Sequence, residues 1–184
     1  MTDLDESLSG DWVFDPSHSR IGFSARHAMV TKVRGAFNDV DGRIHVEAGD
    51  PSRSSVMVTV KAASVDTRNA QRDEHLRSPD FFDVEQFPDI VFRSTTIDEV
   101  EDNAYMIVGD LTIRDVTKQV AIPLEATGVH RDAEGKLRAG FEGTRRVNRR
   151  DWGLEWQVAL DTGGVLVSEK INLEFEISAV KLED

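Results

Sequence analysis

The sequence predicts an all-β domain, an antiparallel barrel of about eight strands with one short helical insertion. Three observations predict it. Apolar and polar residues alternate at a spacing of two through nearly every segment, so each strand has one apolar and one charged face, and a single enclosed interior serves them all. Glycines stand within the strands, at Gly22, Gly42, Gly109 and Gly143, where a tightly curved sheet needs them. No segment has a sustained helical period that could cover a second sheet face. About eight strands close around a space just wide enough for side chains or for one small ligand.

Taken in order, residues 1–10 read as a flexible acidic tail and residues 11–184 as one domain. Trp12, Val13 and Phe14 begin a strand that Asp15–Pro16 interrupts. From His18, the residues Ile21, Phe23, Ala25 and His27 face one way and Arg20, Gly22, Ser24 and Arg26 the other. Val33 to Phe37 is a shorter strand, with a turn at Asn38–Asp39. Val40, Gly42, Ile44 and Val46 alternate next, and Gly49–Asp50–Pro51–Ser52 is a strong turn. Val56, Val58 and Val60 form another inward face. Further strands follow around Ile90–Phe92, Tyr105–Ile113, Val120–Ala126 and Ala139–Arg145, and the last runs from Val165 to Ile177 after a Gly163–Gly164 turn. Pro123 inside its strand points to an edge or a bulge.

The insertion lies between Asp66 and Ser94. Asn69 to Arg77 has good helix formers and an acid-to-base pair four residues apart, Asp73 to Arg77. Pro79 bars that helix from continuing, and Ser78 is placed to cap a second short turn. Phe81, Phe82 and Phe87 follow without a period, and three large aromatics in a connector need an apolar surface to sit against.

Composition narrows the function. The 184 residues are 39% apolar and 30% charged, with 34 acids against 22 bases and a formal net charge of -12. Such a balance opposes binding to nucleic acid or to anionic membrane surfaces. No run approaches the roughly 18 apolar residues of a membrane helix. The acidic N-terminus does not read as a signal peptide, so the expected location is cytoplasmic. Cysteine is absent, which removes disulfides, thiolate metal sites and thiol catalysis.

The five histidines, His18, His27, His45, His75 and His130, fall at no metal-binding spacing. His45 and His130 alternate with outward residues. His27 shares a face with Ile21 and Phe23, where a lone imidazole is more often a hydrogen-bonded core group than a ligand. His75, near Asp73 and Arg72, is the best acid–base candidate, against the plainer reading of a helix showing its polar side to water. No nucleophile elbow, phosphate loop or dinucleotide fingerprint is present. Arg145, Arg146, Arg149 and Arg150 form the one basic cluster. They suit an anionic head group, or equally a set of strand-end charges paired with Asp151 and Glu142. The inward apolar residues, with Phe81, Phe82, Phe87 and Trp152, either fill the barrel or line a cavity under a helical lid.

Several stretches resemble the YceI-like family of polyisoprenoid-binding proteins. They are WVFDPSHSRIGFSARHAMVTKVRGAF from Trp12, SVDTRNAQRDEHLRSPDFFDVEQFPDIVFRS from Ser64, GDLTIRDVTKQV from Gly109, NRRDWGL from Asn148, and VSEKINLEFE near the end. The resemblance implies an elongated, eight-stranded, antiparallel, lipocalin-like barrel whose apolar lumen holds a prenyl chain such as a quinone tail. Carried over by position, it implicates His18, Phe23, His27, Arg72, Asp73, His75, Leu76, Phe81, Phe82, Phe92, Arg149, Asp151 and Trp152. Two departures stand out: Asp115 replaces a glycine usual in L-T-I-x-G-V-T, and the secretory leader of periplasmic members is missing.

The expected function is therefore to bind, carry or store an isoprenoid lipid, such as a quinone or its precursor, without catalysis, metal or required cofactor. The expected contacts are Phe23, Ala25, His27, His75, Leu76, Phe81, Phe82, Phe92, Arg149 and Trp152. The alternative is a small-molecule enzyme using His75, Asp73 and Arg149 at the barrel mouth. The partners expected are the lipid and a second copy of the chain in a homodimer, with no nucleic acid and no integral membrane segment.

Overall fold

The computed structural model describes residues 6–160 and 166–183. Among these residues eleven strands form one antiparallel sheet that closes on itself. They are β1 (Gly10–Phe14), β2 (Arg20–His27), β3 (Thr31–Phe37), β4 (Val40–Val46), β5 (Ser55–Lys61), β6 (Val65–Asp66), β7 (Asp89–Glu101), β8 (Ala104–Ile113), β9 (Val116–Arg131), β10 (Leu137–Asn148) and β11 (Lys170–Lys181). One α-helix, α1, spans Ala70–Arg77.

Eight of these strands close the ring, in the order β1-β4-β5-β7-β8-β9-β10-β11 and back to β1. The others extend three of its members. On the side away from β10, β11 pairs with β2 through Asn172–Glu176 and then with β1 through Ala179–Lys181. Thus β1 and β2 make one path broken at Asp15–Pro16, where proline cannot donate to a ladder. In the same way β3 and β4 are one path broken at Asn38–Asp39, because β3 pairs with β2 and β4 with β1. β5 and β6 are the third, interrupted by a 3-10 turn at Ala62–Ser64. Eight strand paths closing into a barrel are the fold expected from the alternation. The run predicted from Val165 begins as a strand only at Lys170, and the predicted Gly163–Gly164 turn lies outside the described residues.

Near the start of the chain Glu6–Leu8 form a 3-10 turn, and β1 already begins at Gly10. Glycine lets large rings lie flat against the inner wall at two points. A side chain on Gly42 would meet the Phe14 ring at 2.2 Å, and one on Gly109 would meet the Phe92 ring at 2.6 Å. Pro123 is tolerated because β9 is in register with β10 only from Glu125 onward. A bulge also lies at Thr127, where the register shifts between Gly140 and Phe141. In the β8–β9 hairpin the positive φ falls on Arg114 (φ 56), so the turn does not require glycine at Asp115.

The two ends of the barrel differ. At one end Trp12, Ala139 and Ala179 form a buried plug, backed by Leu8, Ile44 and Phe141, with Trp12 Nε1 donating to Leu8 O at 3.0 Å. Beside it Asp15 accepts from Ser17 N (2.9 Å), Ser17 Oγ (2.7 Å) and Arg138 Nη1 (2.8 Å). The Ser17 hydroxyl, Arg138 and His18 hold the Asp15 carboxyl far below the usual carboxylate range. At the other end β3 has a partner beyond β2 only at Ala36 and Phe37, and residues 67–88 lie across the gap before β7.

That insert is built as the sequence suggests. Asn69 caps α1, its Oδ1 accepting from Arg72 N at 3.0 Å. Asp73 is buried and accepts from Thr67 N (2.8 Å) and Thr67 Oγ1 (2.5 Å), while Arg72 Nε donates to Thr67 Oγ1 at 2.7 Å. The helix is thereby clamped to the end of β6. After Ser78 a single hydrogen-bonded turn forms, with Ser78 O accepting from Phe81 N (3.0 Å) and Ser78 Oγ from Asp80 N (3.3 Å), and it does not lengthen into a helix. Ser78 is the C-cap of α1, and Phe82 N and Asp83 N fold back to Leu76 O and Ser78 O in a chain of turns.

An internal cavity between the two ends

Inside the barrel lies a cavity of about 220 Å3. Among the described residues its wall is apolar apart from Arg149. From the plugged end it runs past Phe14 and Ile177, through Val58, Phe92 and Ile107, to Ala25, Leu154 and Val167 at the other end. The alternation of β-strand side chains explains the composition, because every second residue of each strand points to the bore.

Eight of the ten expected contact residues line it: Phe23, Ala25, Leu76, Phe81, Phe82, Phe92, Arg149 and Trp152. Phe81 and Phe82 project from the insert, and the Phe82 ring meets Phe37 edge-on at 5.6 Å. Phe87 stays outside the cavity wall, beneath the Arg114 guanidinium. Phe14, Phe37, Leu154 and Val167 also line the cavity, though the sequence did not single them out as contacts. Phe14 and Phe37 end broken strand paths, and Phe37 is turned inward by its pairing opposite Ile21.

Two expected contacts are elsewhere. His27 is exposed at the end of β2, where the inward face has run out and the chain turns at Ala28–Met29. Its backbone bridges to Val167. His75 is half-buried, with Nε2 2.9 Å from Asp80 Oδ2 and its ring edge-on to Phe81 (5.1 Å) and Trp156 (4.6 Å). It packs behind the cavity wall. The remaining histidines, His18, His45 and His130, are on the outer surface or half-exposed there, and Asp11 and Glu47 raise the pKa of His45.

Among the described residues no hydrogen bond or ion pair joins the groups considered for catalysis. Asp73 is engaged by Thr67, His75 faces Asp80, and Arg149 lies on the 3-10 turn Arg149–Trp152. Asn148 caps that turn by accepting from Arg150 N at 3.0 Å, and Gly153 closes it at φ 79, a conformation open to glycine. Trp152 Nε1 then donates to Leu111 O at 2.9 Å, fixing the turn to β8. Among the described residues no cluster of three or more histidines and carboxylates could hold a metal ion.

Arg149 is buried, and its guanidinium donates to three backbone carbonyls: Leu154 O (2.6 Å), Ser168 O (3.0 Å) and Val167 O (3.3 Å). It also lies 5.9 Å from the centre of the Phe81 ring. Burial lowers its pKa from the ordinary arginine value. Among the described residues no carboxylate comes within ion-pair distance. The four arginines expected as one cluster are therefore divided. Arg145 and Arg146 are exposed on β10, and Arg150 pairs with Glu169 at 3.2 Å rather than with Asp151.

Comparison with known proteins agrees with this geometry. Residues 12–179 match the family described as the YceI-like domain. The chain belongs to the YceI-like family. A UPF0312 protein of Staphylococcus aureus strain N315 is 34% identical over 170 residues, covering 92% of this chain and 95% of that protein. Among solved structures, the YCEI protein of Campylobacter jejuni superposes with a TM-score of 0.75 at 30% identity, over 86% of this chain and 90% of that one. A polyisoprenoid binding domain from Saccharophagus degradans shares the fold at 13% identity, with a TM-score of 0.71 over 93% of this YceI-like chain and 98% of that domain.

Proposed function

We propose that this YceI-like protein binds and carries an isoprenoid lipid, a quinone or its precursor, with the prenyl tail in the bore and the head group at the end that holds Arg149. The observation that carries this reading is a cavity whose described lining is apolar except for Arg149. Burial of apolar chain is worth about 0.8 kcal/mol per methylene, so a tail binds tightly without a specific polar contact. Arg149 keeps N–H donors beyond those used on the backbone carbonyls, and these suit a quinone carbonyl or a phosphate oxygen. The polyisoprenoid binding domain named above, with the same fold, adds support.

Size sharpens the proposal. An engineered cavity of about 150 Å3 with similar walls accepts benzene, so about 220 Å3 suits roughly nine carbons, or two prenyl units. A longer tail requires the insert to move outward, or part of the chain to trail from the mouth.

The test is organic extraction of purified protein followed by mass spectrometry, with uptake of added quinone as the second arm. A bound prenyl lipid is expected. His75→Ala should keep uptake within about two-fold, since that ring lies behind the wall. Repeated lipid-free preparations with no affinity for quinone would refute the proposal, and turnover lost in the His75 variant would point to an enzyme.

A further inference from the structure

The hairpin between β2 and β3 sets apart one stretch of an otherwise acidic protein. Residues 16–38 contain four bases and no acid, whereas the whole chain carries a net charge of -12. Arg20 is paired with Glu174. Arg26, Lys32 and Arg34 are exposed, and among the described residues none has a carboxylate within ion-pair distance. Register puts all three on one face, because Arg26 pairs with Lys32 and Ser24 with Arg34, while Ala25 and Val33 take the opposite face.

The tip of this hairpin is apolar and open to solvent: Met29 is 62% exposed and Val30 is 78% exposed. Its backbone is also strained. Ala28 (φ 50) and Met29 (φ 64) both sit in the left-handed region, with Val30 N donating to His27 O at 3.1 Å. Tight hairpins of this kind favour Asn-Gly, which takes up that conformation at little cost. Here the chain instead holds two apolar side chains in a strained turn at its most exposed point. Strain kept where folding does not need it is a mark of function.

The tip also has a defined relation to the cavity. Ala25, three residues before Ala28, lines it. His27 bridges to Val167, another lining residue, and Ala28 N donates to Leu166 O at 2.7 Å. The Trp12 plug is at the opposite end of β11, roughly 36 Å away along a strand of twelve residues.

We propose that the β2–β3 hairpin is a membrane-docking element. Met29 and Val30 enter the acyl boundary of an anionic bilayer, and Arg26, Lys32 and Arg34 lie against its head groups. An apolar tip flanked by bases is the combination that holds proteins at such interfaces. The net negative charge of the molecule does not forbid this, since charges beyond about 8 Å are screened at physiological salt. Docking this way turns the unplugged end of the barrel toward the lipid. The biological purpose rests on the cargo reading above, but the binding test does not.

The test is co-sedimentation with vesicles of equal parts phosphatidylglycerol and phosphatidylcholine, beside vesicles of phosphatidylcholine alone. The protein should bind the anionic vesicles more tightly and be released by salt. Replacing the tip by Ala28→Asn with Met29→Gly should weaken partitioning about ten- to a hundred-fold. The same change should raise Tm by a few degrees, because it relieves the turn, so lost binding cannot be put down to misfolding. Lys32→Gln and Arg34→Gln should each cost about five-fold on anionic vesicles. Unchanged partitioning of the Asn-Gly variant, or equal binding to both vesicle types, would overturn the proposal. Quinone uptake without vesicle binding would overturn docking alone, and vesicle binding without uptake would support docking while removing the cargo reading.

Discussion

The two ends of this barrel are finished by different means. The Trp12 end is closed by the sheet's own side chains: Trp12, Ala139 and Ala179 pack together, and beside them Arg138 ties the β9–β10 hairpin, where it also holds Asp132, to Asp15 at the break between β1 and β2. The far end is covered by parts that are not strands of the ring. They are the 67–88 insert, held by the Thr67–Asp73 clamp, and the 149–154 turn, held by Arg149 and Trp152. A plug made of the ring itself can open only if the barrel unfolds. The cover packs Phe81, Trp152 and Leu154 into the main apolar core but lies outside the strand ladder, so it can open locally while the ring stays closed. On the proposed function, ligand exchange is expected at the covered end and resistance to unfolding at the plugged one.

Trp12→Ala should break the stable end. Loss of that buried ring is expected to cost about 3–5 kcal/mol in urea unfolding, with quinone uptake unchanged in whatever protein remains folded. A loss of uptake at full stability would reverse the assignment of the two ends.

Asp15→Ala should cost less, about 1.5–3 kcal/mol, since it removes hydrogen bonds to a charged carboxylate. The pH dependence has a definite sign. The folded pKa of Asp15 lies below its ordinary value, so its stabilisation is present above about pH 4 and is lost as pH falls toward the folded value. Unfolding curves of the variant should converge on those of the parent in acid. A constant gap at all pH values would show that the carboxylate charge is not what matters.

Asp73→Ala is expected to have the smallest global effect, about 1–3 kcal/mol, from leaving the Thr67 N–H and hydroxyl without their acceptor. The cost should be local. Hydrogen exchange should speed up in residues 67–88 and bound lipid should leave faster, while the strands of the ring stay protected. Uniform loss of protection would mean that the insert is part of the ring's cooperative unit.

Much of this was legible in the chain because it depends on local rules. Alternation placed Ile21, Phe23 and Ala25 on the inner face, and Asn69 and Pro79 bounded the helix. The run NRRDWG encodes its own capped turn. The histidines show where local rules end. His27 continues the period of Ile21 and Phe23, yet β2 leaves the wall before reaching it. His75 and Asp73 are neighbours in sequence, but α1 turns one toward Asp80 and the other toward Thr67.

By itself, the sequence determined that the protein is a curled antiparallel sheet with an apolar inner face and one aromatic-bearing insert. A period of two and the placement of turn residues are properties of neighbours along the chain. Tertiary structure decided which strand paths break and join, and which end is plugged. It also decided that Arg149 is buried at the cavity while Arg145, Arg146 and Arg150 remain outside. Those outcomes depend on contacts between residues far apart in sequence, settled only when β11 meets β1 and the ring closes.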